Sequence, residues 1–193
     1  MNEPQIVVDL AVARRFLDHV AGILGPEHVS FEDDVERYID PYALGDTTRF
    51  LPSGAVRPAD TAEVQAVVRA ANEFGIPIWP IGQGRNLGYG GSAPRLSGTV
   101  VLDLGRRLLG YGGSLPPSGT TGALNPVRLN RVLVVDDETA VAIVEPGVRF
   151  FDLYDALQER GSRLMPSVPD LGWGSVVGNA LERGYGYTAH GEH

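Results

Sequence analysis

Twelve residues, PIGQGRNLGYGG from Pro80 to Gly91, leave this chain few options, because six of them are glycine or proline. Ile76 to Trp79 just before them has β character, so the run reads as a structured turn at a strand end and not as a linker. Gly82, Gly84, Gly88, Gly90 and Gly91 let the backbone adopt positive φ and turn successive amide N–H groups inward, which is how a loop holds a pyrophosphate. A plain strand-end turn is the alternative. No amphipathic helix follows directly, which argues against a Rossmann fingerprint, and the spacing is not that of a P-loop.

A second glycine-bearing stretch, PDLGWGSVVGNALERGYGY from Pro169 to Tyr187, stands near the C-terminus. Ser175 to Leu181 reads as a short helix entered through Gly172, Trp173 and Gly174, and free amides there would attract an anion. The two stretches together could hold one diphosphate. Asp170, between Pro169 and Leu171, is either a turn or N-cap carboxylate or part of an active site.

The remaining pattern is α+β. Ile6 to Leu24 has helical apolar spacing and stops at Gly25-Pro26. Glu32 to Glu36 is a short acidic run that reads as a solvated face. After a loop over Arg49 to Arg57, Ala55-Val56 begins a strand. Asp60 with Glu63 then forms a capping box for a helix carrying Val64, Val67, Val68 and Ala71 on one face and ending at Gly75. Strand Ile76 to Ile81 delivers the chain to the glycine loop. Thr99 to Leu104, Arg131 to Val135 and Val141 to Glu145 are β-branched runs, the last two joined at Asp136-Asp137 as a hairpin. Pro146-Gly147 ends it, and Phe151, Leu153, Tyr154 and Leu157 mark a helix that closes at Gly161.

Composition narrows the partners. A net charge of -8 disfavours nucleic acid and anionic membrane surfaces. With no cysteine among 193 residues, disulfides, thiolate catalysis, zinc–sulfur sites and a cysteinyl–flavin bond are excluded for this chain. The N-terminus lacks a basic n-region and no apolar run approaches the ~20 residues of a membrane span, so a soluble cytoplasmic protein is expected. His190 and His193, with Glu192 between, have a spacing that suggests a metal, but we read both as ordinary histidines.

In order along the chain, RPADTAEVQAVVRAANEFGIPIWPIGQGRNLGYGGSAP, NRVLVVDDETAVAIVEPGV and PDLGWGSVVGNALERGYGYTAHGEH resemble the vanillyl-alcohol oxidase and p-cresol methylhydroxylase family, of the eugenol oxidase-like 4-phenol oxidase kind. The resemblance runs from about Arg57 to the last residue. It implies the FAD-binding domain of the p-cresol methylhydroxylase type, two α/β subdomains holding FAD between them, truncated at its C-terminus. Residues 1–52 would be an N-terminal helical arm and 53–193 the partial FAD domain. About 21 residues, 109–129, are extra relative to the family, and their LGYGGS opening echoes Leu87 to Ser92. We read them as an inserted surface excursion.

The same resemblance implies roles residue by residue. Pro80, Ile81, Gly82, Gln83, Gly84, Arg85 and Asn86 would line one side of the FAD diphosphate. Pro169, Leu171, Gly174, Ser175, Gly178, Asn179 and Gly184 would line the other. Asp170 would sit beside flavin N5, while Tyr89 and Tyr187 would bind the substrate phenolate. Ala189-His190 departs from the family's Pro-Tyr. The implied reaction is hydride removal from the benzylic carbon of 4-alkylphenols or aromatic alcohols, with electrons passed to O2 or a cytochrome. The full-length family is expected to be homo-oligomeric. Residues 1–193 alone are expected to be inactive, because the cap domain and half of the phenolate clamp lie elsewhere. The competing reading is a non-catalytic flavin-binding fragment or a folding or interaction module.

Overall fold

The computed structural model describes residues 8–31, 35–39, 51–84, 92–96, 98–105, 129–168, 172–181, 184 and 186. It begins with helix α1, Leu10–Leu24, whose N-cap is Asp9; the Asp9 side chain accepts from the Ala11 amide at 2.8 Å. The helix therefore starts later than the apolar spacing suggested, because a carboxylate positioned to take an orphan amide ends the extended lead-in. Strand β1, Val29–Ser30, and strand β2, Gly54–Val56, follow. Helix α2, Thr61–Phe74, is started by Asp60, which accepts from the Glu63 amide at 2.9 Å. The Glu63 carboxylate reaches back to the Ala59 amide at 2.6 Å, one residue before the cap itself. Gly75, at φ 67°, ends α2 in the left-handed region where a side chain is strained.

Strands β3, Ile78–Ile81, and β4, Val100–Asp103, complete a four-stranded sheet of order β1-β2-β4-β3. β4 runs parallel to both neighbours, with Leu102 opposite Val56 on one side and Pro80 on the other. Its four residues are all buried, as a central parallel strand requires. Pro80 lacks an amide hydrogen and is tolerated because β3 is an edge.

The alternation of strand side chains splits the sheet into two faces. Val56, Val100 and Leu102 face α1 and α2, where Phe16, Leu17, Val20, Val67 and Ala71 close the main core. α1 and β1, read from the sequence as part of an N-terminal arm, thus contribute directly to this core. Ala55, Val101 and Ile81 face the other way, against Val35 and Tyr38.

One residue beyond that second apolar row the surface turns polar without being exposed. Arg57 and Asp103 are both buried. The Tyr38 hydroxyl donates to Asp103 Oδ2 at 3.1 Å, while Arg57 Nη1 donates to Ser30 Oγ at 2.8 Å and lies 3.5 Å from the Tyr38 oxygen. Arg57 Nη2 donates to the Glu27 carbonyl at 3.0 Å. Nothing in the periodicity of the sequence indicated this buried network.

Strands β5, Val132–Asp136, and β6, Val141–Val144, form a separate antiparallel hairpin. Its turn is stabilised by Asp136, which accepts from the amides of Glu138 and Thr139 at 2.9 and 3.2 Å. Hydrogen bonds from Thr139, its side chain first and then its amide, followed by that from the Glu138 amide, hold the Asp136 carboxyl below its ordinary range. Helix α3, Phe150–Glu159, packs Leu153 and Leu157 with Val148 against the inner side of the hairpin. Helix α4, Val176–Leu181, is short. Residues 32–34 of the acidic run, and residues 109–128 of the stretch 109–129 read from the sequence as an insertion, lie outside the described residues. Among the described residues no helix is long and apolar enough to cross a membrane.

Candidate functional site

Four turns meet where the sheet unit joins the hairpin unit. They are the turn after β3 (residues 82–84), the turn after β4 (104–105), the turn after β6 (146–147) and the lead-in to α4 (172–175). The first three follow strand ends. In open sheets with parallel strands this is the edge where ligands bind, since loops there surround a crevice.

Gly82 is the point of closest approach. A Cβ built on it would collide with Ser175 Oγ, and would lie 3.2 Å from Ser175 Cβ and 3.3 Å from the Pro146 carbonyl. Two stretches more than ninety residues apart are therefore brought into contact, as one shared ligand requires. Ile81 is buried below the turn, and its carbonyl accepts from the Leu104 amide at 2.9 Å. Gly84, at φ 60°, packs on Ser92.

Ser175 is buried and fixed on three sides. Its Oγ accepts from the Gly178 amide at 2.9 Å, capping α4. Its carbonyl accepts from Asn179, and the adjacent Val176 amide donates to Val148 at 3.0 Å. The carbonyls of Gly172 and Gly174 take the Phe151 and Phe150 amides, both at 3.2 Å, so the same turn caps the start of α3. This alters the sequence reading of the α4 N-terminus. The amides of Val176 and Gly178 are committed inside the protein, which leaves less positive potential there than an open helix end would offer. Gly184 packs against the Asn179 side chain and donates to its carbonyl at 2.7 Å.

Arg149, the residue before α3, bridges to Ser175 through the backbone. Its guanidinium is bound by Asp152, which also accepts from the Arg149 amide at 2.9 Å. The hydrogen bonds that the guanidinium donates to Asp152 push the Arg149 pKa further up from an already high value. No local signal in the residues around Arg149 indicates that a partly buried, neutralised arginine stands beside this turn. Arg85, Asn86, Tyr89, Pro169, Asp170, Leu171, Tyr187, His190 and His193 lie outside the described residues. Among the described residues no group of three or more His, Cys, Asp and Glu could hold a metal ion.

Glycine backbone packed directly against a buried serine hydroxyl, beside further glycine turns at strand ends, suits a phosphate-bearing ligand. Residues 52–111 and 109–192 match the family described as FAD binding domain. The chain belongs to that family. Its fold is the p-cresol methylhydroxylase type of FAD-binding fold, and FAD is the cofactor. The chain is 36% identical over 174 residues to the 4-cresol dehydrogenase [hydroxylating] flavoprotein subunit of Pseudomonas putida, a match covering 89% of this chain and 29% of that protein. It is 37% identical to the 1'-carboxy-chondrochloren decarboxylase of Chondromyces crocatus, covering 88% of this chain and 27% of that protein. The structure of the 4-ethylphenol oxidase of Gulosibacter chungangensis superposes with a TM-score of 0.82 at 37% identity, over 98% of this chain and 32% of that one. This FAD-binding chain thus spans less than a third of the length of these relatives.

Proposed function

We propose that the chain is the N-terminal FAD-binding part of an oxidase that removes hydride from the benzylic carbon of 4-alkylphenols or aromatic alcohols and passes electrons to O2. The observation that carries this reading is the contact between Gly82 and Ser175, which brings the two glycine-bearing stretches together as a shared diphosphate would require.

In this reading the backbone of Gly82 to Asn86 holds one side of the diphosphate. Gly174 and Ser175 hold the other, with Ser175 Oγ accepting one hydrogen bond as a cap and donating its proton to a phosphate oxygen. FAD supplies hydride acceptance. Tyr89 and Tyr187 donate hydrogen bonds to the phenolate oxygen, and charge-assisted bonds of this kind stabilise the anion whose electron release drives hydride loss. Asp170 sets the electrostatics at the reacting edge.

Coverage of about 30% of the relatives supports a second statement: residues 1–193 bind FAD but do not turn over substrate by themselves. The test has two arms. Purified chain should take up FAD, turn yellow and melt at a higher temperature; colourless protein with an unchanged melting point contradicts the binding step. Peroxide release with vanillyl alcohol or eugenol should be absent for the 193-residue chain and present in any longer natural form. Turnover by the chain alone contradicts its predicted inactivity, and a longer form inert towards both compounds contradicts the substrate class.

A further inference from the structure

Gln83 stands in the glycine turn, where the simplest expectation is a side chain that reaches the ligand. Its amide is occupied elsewhere. Nε2 donates to the carbonyl of Gly105 at 2.6 Å and also to the carbonyl of Gly147. A primary amide nitrogen carries two hydrogens, so both are committed inside the protein and the carboxamide is held in one orientation.

The two acceptors belong to different units. Gly105 follows β4 of the sheet, and Gly147 follows β6 of the hairpin. Their backbones touch: a Cβ on Gly147 would lie 2.7 Å from Gly105 Cα and 2.8 Å from the Leu129 carbonyl. The Gly105 amide donates to Asp103 Oδ1 at 3.3 Å, which ties the acceptor back to the end of β4. The Gly147 amide donates to the Leu129 carbonyl at 2.9 Å. One side chain therefore fastens the turn after β3 to two anchored backbones, directly beside the contact of Gly82 with Ser175 and Pro146.

We infer that Gln83 is a positioning residue for the diphosphate site: by holding the carbonyls of Gly105 and Gly147 together it fixes the turn after β3 against the backbone that leads to Val148, whose carbonyl accepts from Val176 next to Ser175. The inference rests on the reading that FAD binds between these turns. It assigns Gln83 no direct contact with the cofactor. Among the described residues, ionisable side chains beside the junction are Asp103, two residues before Gly105, and Glu145, two before Gly147 and paired with Arg131.

The two arms of the test use Gln83→Leu and Gln83→Glu, with FAD affinity measured by quenching of Trp fluorescence between about pH 5 and 8, and apo melting temperature measured alongside. Leucine removes both donors, and FAD should bind roughly tenfold more weakly at every pH. Glutamate gives the side chain a titratable charge. Protonated, it donates to one carbonyl; ionised, it faces two carbonyl oxygens with no donor, which also raises its pKa. Affinity in this variant should approach that of the native chain at the acid end and fall as pH rises, with no such slope in the native chain or in Gln83→Leu. If the leucine variant does not fold, the pH slope of the glutamate variant decides the matter. Native FAD affinity in Gln83→Leu overturns the inference and leaves the FAD site standing, as does a Gln83→Glu affinity that only tracks its apo melting temperature. Folded native chain that binds no FAD overturns both.

Discussion

Gly105 and Gly147 face each other backbone to backbone, with no room for a methyl group on either. A methyl on Gly147 would meet a Cα at 2.7 Å and a carbonyl oxygen at 2.8 Å, neither of which can rotate away. Gly147→Ala should therefore destabilise the chain by about 1–3 kcal/mol, the usual range for overpacking. Urea unfolding should show a lower midpoint at unchanged slope. A native midpoint would mean that the two turns can separate freely.

Tyr38 joins a buried acid to a buried base, donating to Asp103 at 3.1 Å with Arg57 on the far side of its oxygen. Tyr38→Phe keeps the packing and removes the donor, so it should lower stability by about 1–3 kcal/mol. The exposed Tyr154 is the control, and Tyr154→Phe should change stability by less than about 0.5 kcal/mol. Equal effects in thermal unfolding would show that the network contributes only packing.

How much of this was legible beforehand depended on whether a feature was local. Helix α2 could be read because Asp60, Glu63 and Gly75 act within their own turns of chain. The glycine turn was legible for the same reason, since glycine density signals unusual backbone wherever the segment lies. The pairing of Gly105 with Gly147 could not be read, because each glycine has its meaning only once the other is adjacent. Gln83 resembled any polar loop residue for the same reason. The buried positions of Arg57 and Asp103 were hidden because charged residues at strand ends are ordinarily solvated, whereas here Tyr38 and the β1 lead-in, distant in sequence, bind them. The lead-in to α4 was partly misread: its glycines suggested open amides, whereas two of its carbonyls cap α3 and two amides of α4 are already taken.

Glu145 closes the base of the hairpin. It accepts from the Arg131 amide at 2.7 Å and from the Arg131 guanidinium at 2.7 and 2.9 Å. The hydrogen bond from Arg131, above all, holds the Glu145 carboxyl below its ordinary range. A depressed folded-state pKa contributes stability above the unfolded value, and that stability is lost as pH falls through the folded one. Melting temperature should therefore decline as pH drops from the ordinary glutamate range downward, and Glu145→Gln should flatten that decline while lowering stability near neutrality. Identical acid profiles for the two proteins would contradict a native role for the pair.

The contact between Gly82 and Ser175 is tested most directly by calorimetric titration of FAD into the native chain and into Gly82→Val. The bulkier residue puts a side chain where Ser175 Oγ now lies. Native chain should bind one FAD, and the variant should bind it roughly tenfold more weakly or worse while keeping its circular dichroism. Unchanged affinity in the variant, or a folded native chain that takes up no FAD, would contradict the account.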